Sequence, residues 1–242
     1  MTRILVLETM PPQDWLGPGS SGTGWLRRLL PQCELVPAPA YAGVPLPMPD
    51  GFAAVIVPGS LASVTERAPW MLALEQYLRG LVERQVPVLG ICFGHQILAS
   101  ALGGRVVPNP RGLELDIAAV HLTVPGRAHP LFAGLDDPVL AVEAHEDTVE
   151  ELPPGAILLA ENGYGVQSFA LGSAAGIQFH PEIAPAVLAR IARYEAEELR
   201  ALGRDPEALA STWERIAPPP AEQIVANFVA AATGTQNAVQ QA

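Results

Sequence analysis

Residues 87–96 read Pro87-Val88-Leu89-Gly90-Ile91-Cys92-Phe93-Gly94-His95-Gln96, and the stretch decides the fold. An apolar run stops at Gly-x-Cys-x-Gly, and a helix-compatible run from Gln96 to Leu102 follows at once. Strand, sharp turn and helix with a nucleophile at the corner make a nucleophile elbow, here with Cys in the place of Ser. The flanking glycines let the backbone turn where a Cβ would clash. The turn sets the sulfur at a strand's carboxyl end, beside a helix N-terminus whose partial positive charge favours thiolate, the reactive form of Cys. A lone cysteine at a strand end is more often a buried apolar side chain. A glycine two residues to either side makes the nucleophile the better reading.

Outward from the elbow, strands and helices alternate. Ile4–Leu7, Cys33–Val36, Ala53–Val57 and Val86–Ile91 read as strands, with helices at Thr23–Leu30 and Trp70–Arg84 between them. The second helix carries apolar residues at 71, 74, 78, 81 and 82 and is entered at Pro69. Pro-rich Tyr41–Asp50 is loop. Alternating apolar strands and helices predict an α/β three-layer sandwich, a mostly parallel sheet with helices on both faces. Residues 103–180 read as short strands and turns that add a small antiparallel extension and return His180 to the sheet edge. Residues 184–202 and 206–216 are predicted helical, Pro218-Pro219-Pro220 interrupts, and a last helix covers 221–232. Residues 1–200 are therefore read as one catalytic domain. Residues 201–242 form a helical extension packed on it, frayed over 234–242.

A nucleophilic Cys needs a base, and the base an orienting partner. Of the five histidines, His180 is best placed, in Gly176-Ile177-Gln178-Phe179-His180-Pro181-Glu182. It follows an apolar strand-like run, and open α/β sheets build sites at strand carboxyl ends. Glu182, two residues on, is close enough to fix the imidazole tautomer. The plain alternative is a hydrogen-bonded loop histidine. His95 begins the helix after the elbow and is read as structural, His121 as a surface residue of a strand, and His129-Pro130 as a turn. His145-Glu146-Asp147 ends a strand-like run, and a substrate-rim role stands at even odds with a solvated turn.

Three pieces, Pro58-Gly59-Ser60, Gly90-Ile91-Cys92-Phe93-Gly94-His95-Gln96 and Phe179-His180-Pro181-Glu182, stand in the order found in class I glutamine amidotransferases, and the chain resembles that family over residues 1–195. Asn109 to Leu115 and His145-Glu146-Asp147 resemble its stand-alone branch, akin to the glutaminase domain of GMP synthase. Glu146 and Asp116 stand where that branch has glycine. The resemblance implies a flavodoxin-like sheet and a Cys92-His180-Glu182 triad. It also implies an oxyanion hole from the backbone N–H groups of Gly59 and Phe93, and substrate contacts from Gln96, His145 and Glu146. Glutamine would be hydrolysed to glutamate and ammonia, and the ammonia passed to a separate acceptor-activating synthetase. Two alternatives keep their place: a γ-glutamyl peptide or γ-glutamylamine hydrolase with the same triad, and a non-catalytic regulatory module, against which the complete triad argues.

Composition excludes other classes. The chain has 242 residues, 49% of them hydrophobic, enough for one large core. No apolar run reaches the ~20 residues of a membrane span, and Met1 to Glu8 reads as a strand instead of a signal peptide. All 14 basic residues are Arg against 25 acidic ones, with no basic stripe for nucleic acid. Two cysteines make no disulfide framework, so the cytoplasm is the expected compartment. Gly17 to Gly22 fits Gly-x-Gly-x-x-Gly by letter but contains Pro18 and does not close a strand. His180-x-Glu182 lacks the Pro-Cys-x-x-Cys of zinc deaminases. No cofactor and no metal are expected.

Overall fold

The computed structural model describes residues 1–240, with side chains through Gly234. In chain order the strands are β1 (Thr2–Glu8), β2 (Cys33–Pro39), β3 (Ala54–Val57), β4 (Val88–Ile91), β5 (Arg105–Pro108), β6 (Glu114–Leu122), β7 (Val139–His145), β8 (Asp147–Glu151), β9 (Ile157–Asn162), β10 (Gly165–Leu171) and β11 (Ala174–Ile177). The helices are α1 (Gly22–Leu29), α2 (Pro69–Glu83), α3 (Phe93–Ala101), α4 (Val124–Ala128), α5 (Pro185–Tyr194), α6 (Ala196–Ala201), α7 (Pro206–Trp213) and α8 (Gln223–Gln240). One sheet has the order β2-β1-β3-β4-β11-β10-β9-β6-β7, and β5 pairs with β8 in a separate ribbon. From β2 to β11 the pairings are parallel; from β11 to β7 they are antiparallel.

The parallel part is buried on both faces because its strands are apolar on both. Ile4, Val6, Ile56, Leu89 and Ile91 pack with Leu26 of α1 and with Ile224, Val225 and Phe228 of α8. Their neighbours Leu5, Leu7, Val55, Val57 and Val88 pack on the other side with Met71, Leu74 and Leu78 of α2 and Ile97 and Leu98 of α3. This period-2 division is what makes three layers. Each fully buried Leu, Ile or Val contributes about 1.5–3 kcal/mol relative to exposure. β2 tolerates Pro37 and Pro39 because it is an edge strand. A third apolar cluster joins Leu115 and Val142 to Leu188 of α5, Leu199 of α6 and Trp213 of α7.

Three differences from the sequence reading have physical causes. β11 does not run along the sheet edge. It lies in the middle, between β4 and β10, with Ala174 opposite Val88 and Ile177 opposite Ile91. Ala174-Ala175-Gly176-Ile177 is small, apolar and fully buried, which suits a central strand. The predicted helix over 184–202 is two helices, broken at Glu195, the C-cap of α5 and N-cap of α6. The last helix runs from Gln223 to Gln240, beyond the predicted end at 232. Residues 241 and 242 of the expected frayed tail lie outside the described residues.

Candidate active site

Cys92 stands at the carboxyl end of β4 with φ +51° and ψ −107°, and α3 begins at the next residue. A side chain held at positive φ stores local strain of about 1–3 kcal/mol, a mark of functional corners. The flanking glycines are required by close approach. A Cβ on Gly90 would stand 2.3 Å from the Gly94 carbonyl oxygen, and one on Gly94 would stand 1.9 Å from the Val57 oxygen. The turn is thus locked onto β3 and β4. The Cys92 N–H donates to the Ile177 carbonyl at 2.9 Å, which extends the β4–β11 ladder to the sulfur-bearing residue.

That ladder brings His180 to Cys92, because His180 follows β11 by three residues. The His180 N–H donates to the Val142 carbonyl of β7 at 2.8 Å, and Cys92 Sγ lies 3.7 Å from the Ala144 carbonyl of the same strand. His180 Nδ1 donates to Glu182 Oε1 at 2.8 Å, leaving Nε2 to exchange a proton with the thiol. Burial opposes the charged imidazolium. The Glu182 carboxylate and the negative charge of Cys92 outweigh it and hold the His180 pKa well above its ordinary 6.5. Gly59 closes the third side, since a Cβ there would meet His180 Cε1 at 2.9 Å and Cys92 Cβ at 3.7 Å. Thr9, at the end of β1, fixes this loop by donating Oγ1 to the Gly59 carbonyl at 2.5 Å. Phe93 is the first residue of α3, so its N–H is one of the four that a helix start leaves without an intrahelical acceptor.

Cys92, Phe93, Gly59, Gln96, His145, Glu146 and His180 all line one cavity of about 180 Å³. This is below the ~300–1,000 Å³ of sites for drug-sized ligands and suits a single amino acid. Glu182 stands behind His180. Gln96 is buried and spends its amide N–H groups on the Asp147 carbonyl at 3.0 Å and Gln178 Oε1 at 3.1 Å. The ring of His145 is held at both nitrogens, Nε2 to Glu114 Oε2 at 2.8 Å and Nδ1 to the Asp147 carbonyl at 2.9 Å. Glu146 is exposed at the mouth, beside Glu195 and Glu198. Partial burial and the neighbouring carboxylates raise the pKa of Glu146 and of Glu195.

The remaining histidines do not line this cavity. The His95 ring is fully buried against Phe169 and Gly176, and burial lowers its pKa to about 3, so it is neutral. His121 is exposed, and His129 caps the short turn at Leu131. At the Gly17–Gly22 loop the start of α1 already holds an anion of its own. Glu8 accepts from the N–H groups of Gly22 at 3.0 Å and Thr23 at 2.8 Å. Sequence reasoning missed Thr9, Gln178 and Glu114, which hold Gly59, Gln96 and His145. Gln178 and Glu114 lie inside motifs already quoted, where a polar residue in a buried apolar run was the available signal.

Comparison with known proteins identifies the family and the fold. The family model described as glutamine amidotransferase class-I matches residues 26–190. A glutamine-hydrolyzing GMP synthase of Thermomicrobium roseum is 38% identical over 155 residues, 63% of this chain and 27% of that protein. Gamma-glutamyl peptidase 5 of Arabidopsis thaliana is 34% identical over 146 residues, 59% of this chain and 57% of that protein. The matched region is thus only part of each relative's length. A glutamine amidotransferase from Thermotoga maritima shares the fold, with a TM-score of 0.76 at 22% identity, covering 96% of this chain and 97% of that one. No helix among the described residues is long and apolar enough to cross a membrane. By the family match over most of its length and the arrangement around Cys92, the chain belongs to the class I glutamine amidotransferases.

Proposed function

We propose that this protein hydrolyses the side-chain amide of glutamine through a γ-glutamyl thioester on Cys92, releasing glutamate and ammonia. The observation that carries the reading is the constellation at the strand ends: a strained Cys92 beside His180, whose Nδ1 is held by Glu182 at 2.8 Å. The thiolate attacks the amide carbon. The oxyanion forms between the backbone N–H groups of Gly59 and Phe93, where no reorganisation is needed during the reaction. His180, protonated by transfer from the thiol, returns a proton to the departing ammonia, and Glu182 stabilises the imidazolium and fixes its direction. Water then cleaves the thioester, with His180 as base. Gln96 and the cavity wall at His145 and Glu146 hold the amino-acid end of the substrate. The ammonia passes to an acceptor-activating synthetase, a reading supported by the similarity to a glutamine-hydrolyzing GMP synthase.

A second reading keeps the triad and enlarges the leaving group to a γ-glutamyl peptide or amine. It is favoured by the similarity to a gamma-glutamyl peptidase and by a cavity mouth that opens past the exposed Glu146. Mass spectrometry of products separates the two, with glutamine and γ-glutamyl dipeptides supplied to the protein and to its Cys92→Ser variant. Cys92-dependent glutamate and ammonia from glutamine support the first reading. Cleavage of dipeptides with glutamine spared supports the second. Silence on both substrates from folded protein, repeated with a candidate synthetase present, overturns both.

A further inference from the structure

Behind the cavity wall, the antiparallel part of the sheet holds a second cluster. Glu143 and His145 are two residues apart on β7 and share a face, and Glu114 of β6 stands directly opposite His145 in the register. All three are buried. His145 Nε2 lies 2.8 Å from Glu114 Oε2 and 3.5 Å from Glu143 Oε2, and one donor atom from each residue lies within 4.8 Å of the others. Ligands held about 2.1 Å from one ion stand about 3.0–3.4 Å apart at octahedral to tetrahedral angles. The two His145 separations bracket that range.

The surrounding hydrogen bonds are those that orient metal ligands. His145 Nδ1 donates to the Asp147 carbonyl at 2.9 Å, which fixes the ring and directs Nε2 into the cluster. Asn162 Nδ2, at 2.8 Å, and Gln167 Nε2, at 3.3 Å, donate to the Glu114 carboxylate. The independent observation is Glu143. Its side chain is fully buried, yet neither carboxylate oxygen has a hydrogen-bond partner among the described residues. A buried carboxylate that accepts no hydrogen bond is strongly unfavourable. A divalent cation would satisfy both carboxylates at once.

We propose that Glu114, Glu143 and His145 bind a first-row divalent ion, with zinc the ion that one imidazole and two carboxylates fit best. The consequence reaches the cavity through the backbone. β7, which carries two of the ligands, also offers the Val142 carbonyl to the His180 N–H and the Ala144 carbonyl to Cys92 Sγ. The ion would clamp this edge strand and so hold the wall against which the thiol and imidazole are set. It would be a positioning element, with no part in bond making.

The test uses the full chain carrying Cys92→Ser, so that the thiol supplies no ligand. The protein is equilibrated with zinc or manganese, passed over a sizing column and analysed for metal, with thermal unfolding followed in parallel. One retained equivalent and a raised Tm are expected. Adding Glu143→Gln, which keeps the side-chain shape, should weaken binding at least about tenfold. Retention of neither metal, or equal retention with Glu143→Gln, overturns the proposal. If the Glu143→Gln variant does not fold, X-ray absorption of the zinc-loaded Cys92→Ser protein decides alone. A nitrogen and oxygen shell with one imidazole supports the site, and sulfur or two imidazoles in the shell overturns it.

Discussion

Between β2 and β11 the strands run parallel and are apolar on both faces, whereas between β10 and β7 they run antiparallel and bury Glu114, Glu143, His145 and Gln167. The candidate nucleophile, its base and the Gly59 loop all stand at carboxyl ends of the parallel strands. The cavity wall at Ala144, His145 and Glu146 comes from the end of the antiparallel part. Close-packed apolar layers have few alternative arrangements, so they hold reacting groups to a fixed geometry. A polar network on an edge strand depends on each hydrogen bond being made, so it changes shape when one residue changes. On the proposed function, chemistry belongs to the first region and selection of the substrate to the second.

The largest effect expected belongs to the parallel region. Cys92→Ser should lower turnover by about 10⁴-fold or more while circular dichroism stays unchanged. Full turnover would move the chemistry elsewhere. Glu182→Gln should cost about 10²–10⁴-fold in rate with little change in KM. It also removes a charge that raises the His180 pKa, so the imidazolium loses its proton at lower pH. The alkaline limb of the kcat/KM profile should therefore move to lower pH, and an unmoved limb would separate Glu182 from His180. Gly94→Ala would set a Cβ 1.9 Å from a backbone oxygen and should destabilise by about 3 kcal/mol or more in denaturant unfolding. A mild effect would show the parallel region to be softer than the comparison holds. The smallest effect is assigned to the antiparallel region. Asn162→Ala deletes its hydrogen bond to Glu114 and the two that Asn162 Oδ1 accepts from Tyr164 N–H and Gln167 Nε2, and should cost about 1–2 kcal/mol of stability, with KM altered more than kcat. A fall confined to kcat would erase the division between chemistry and selection.

What could be read from the sequence follows the same division. The elbow and the His180-x-Glu182 pair are local patterns whose geometry is fixed within a few residues, so both were legible. Glu114 and Glu143 were not, because their meeting depends on β6 and β7 pairing in one particular register. The course of β11 was also hidden. Ala174 to Ile177 reads as a short apolar run, and nothing local says that it enters beside β4 instead of at an edge. Glu195 ends α5 without a Gly or Pro to announce it, so α5 and α6 read as one helix. Polar residues in buried strands carry meaning only once their neighbours are known.

The insertion of β11 also sets an order of assembly. Until the chain has been made through Ile177, β4 has its partner β3 on one side and an open backbone edge on the other. The first four strands and three helices can collapse during synthesis, but the elbow at Cys92 lacks the Ile177 carbonyl that receives its N–H. Such long-range closure is slow and leaves an adhesive edge exposed while the ribosome works. Cys92 is therefore made early and its surroundings are completed late. A nascent chain carries the cysteine for the whole time it takes to make the antiparallel region, and brings His180 beside it only when that region returns the chain to the middle of the sheet.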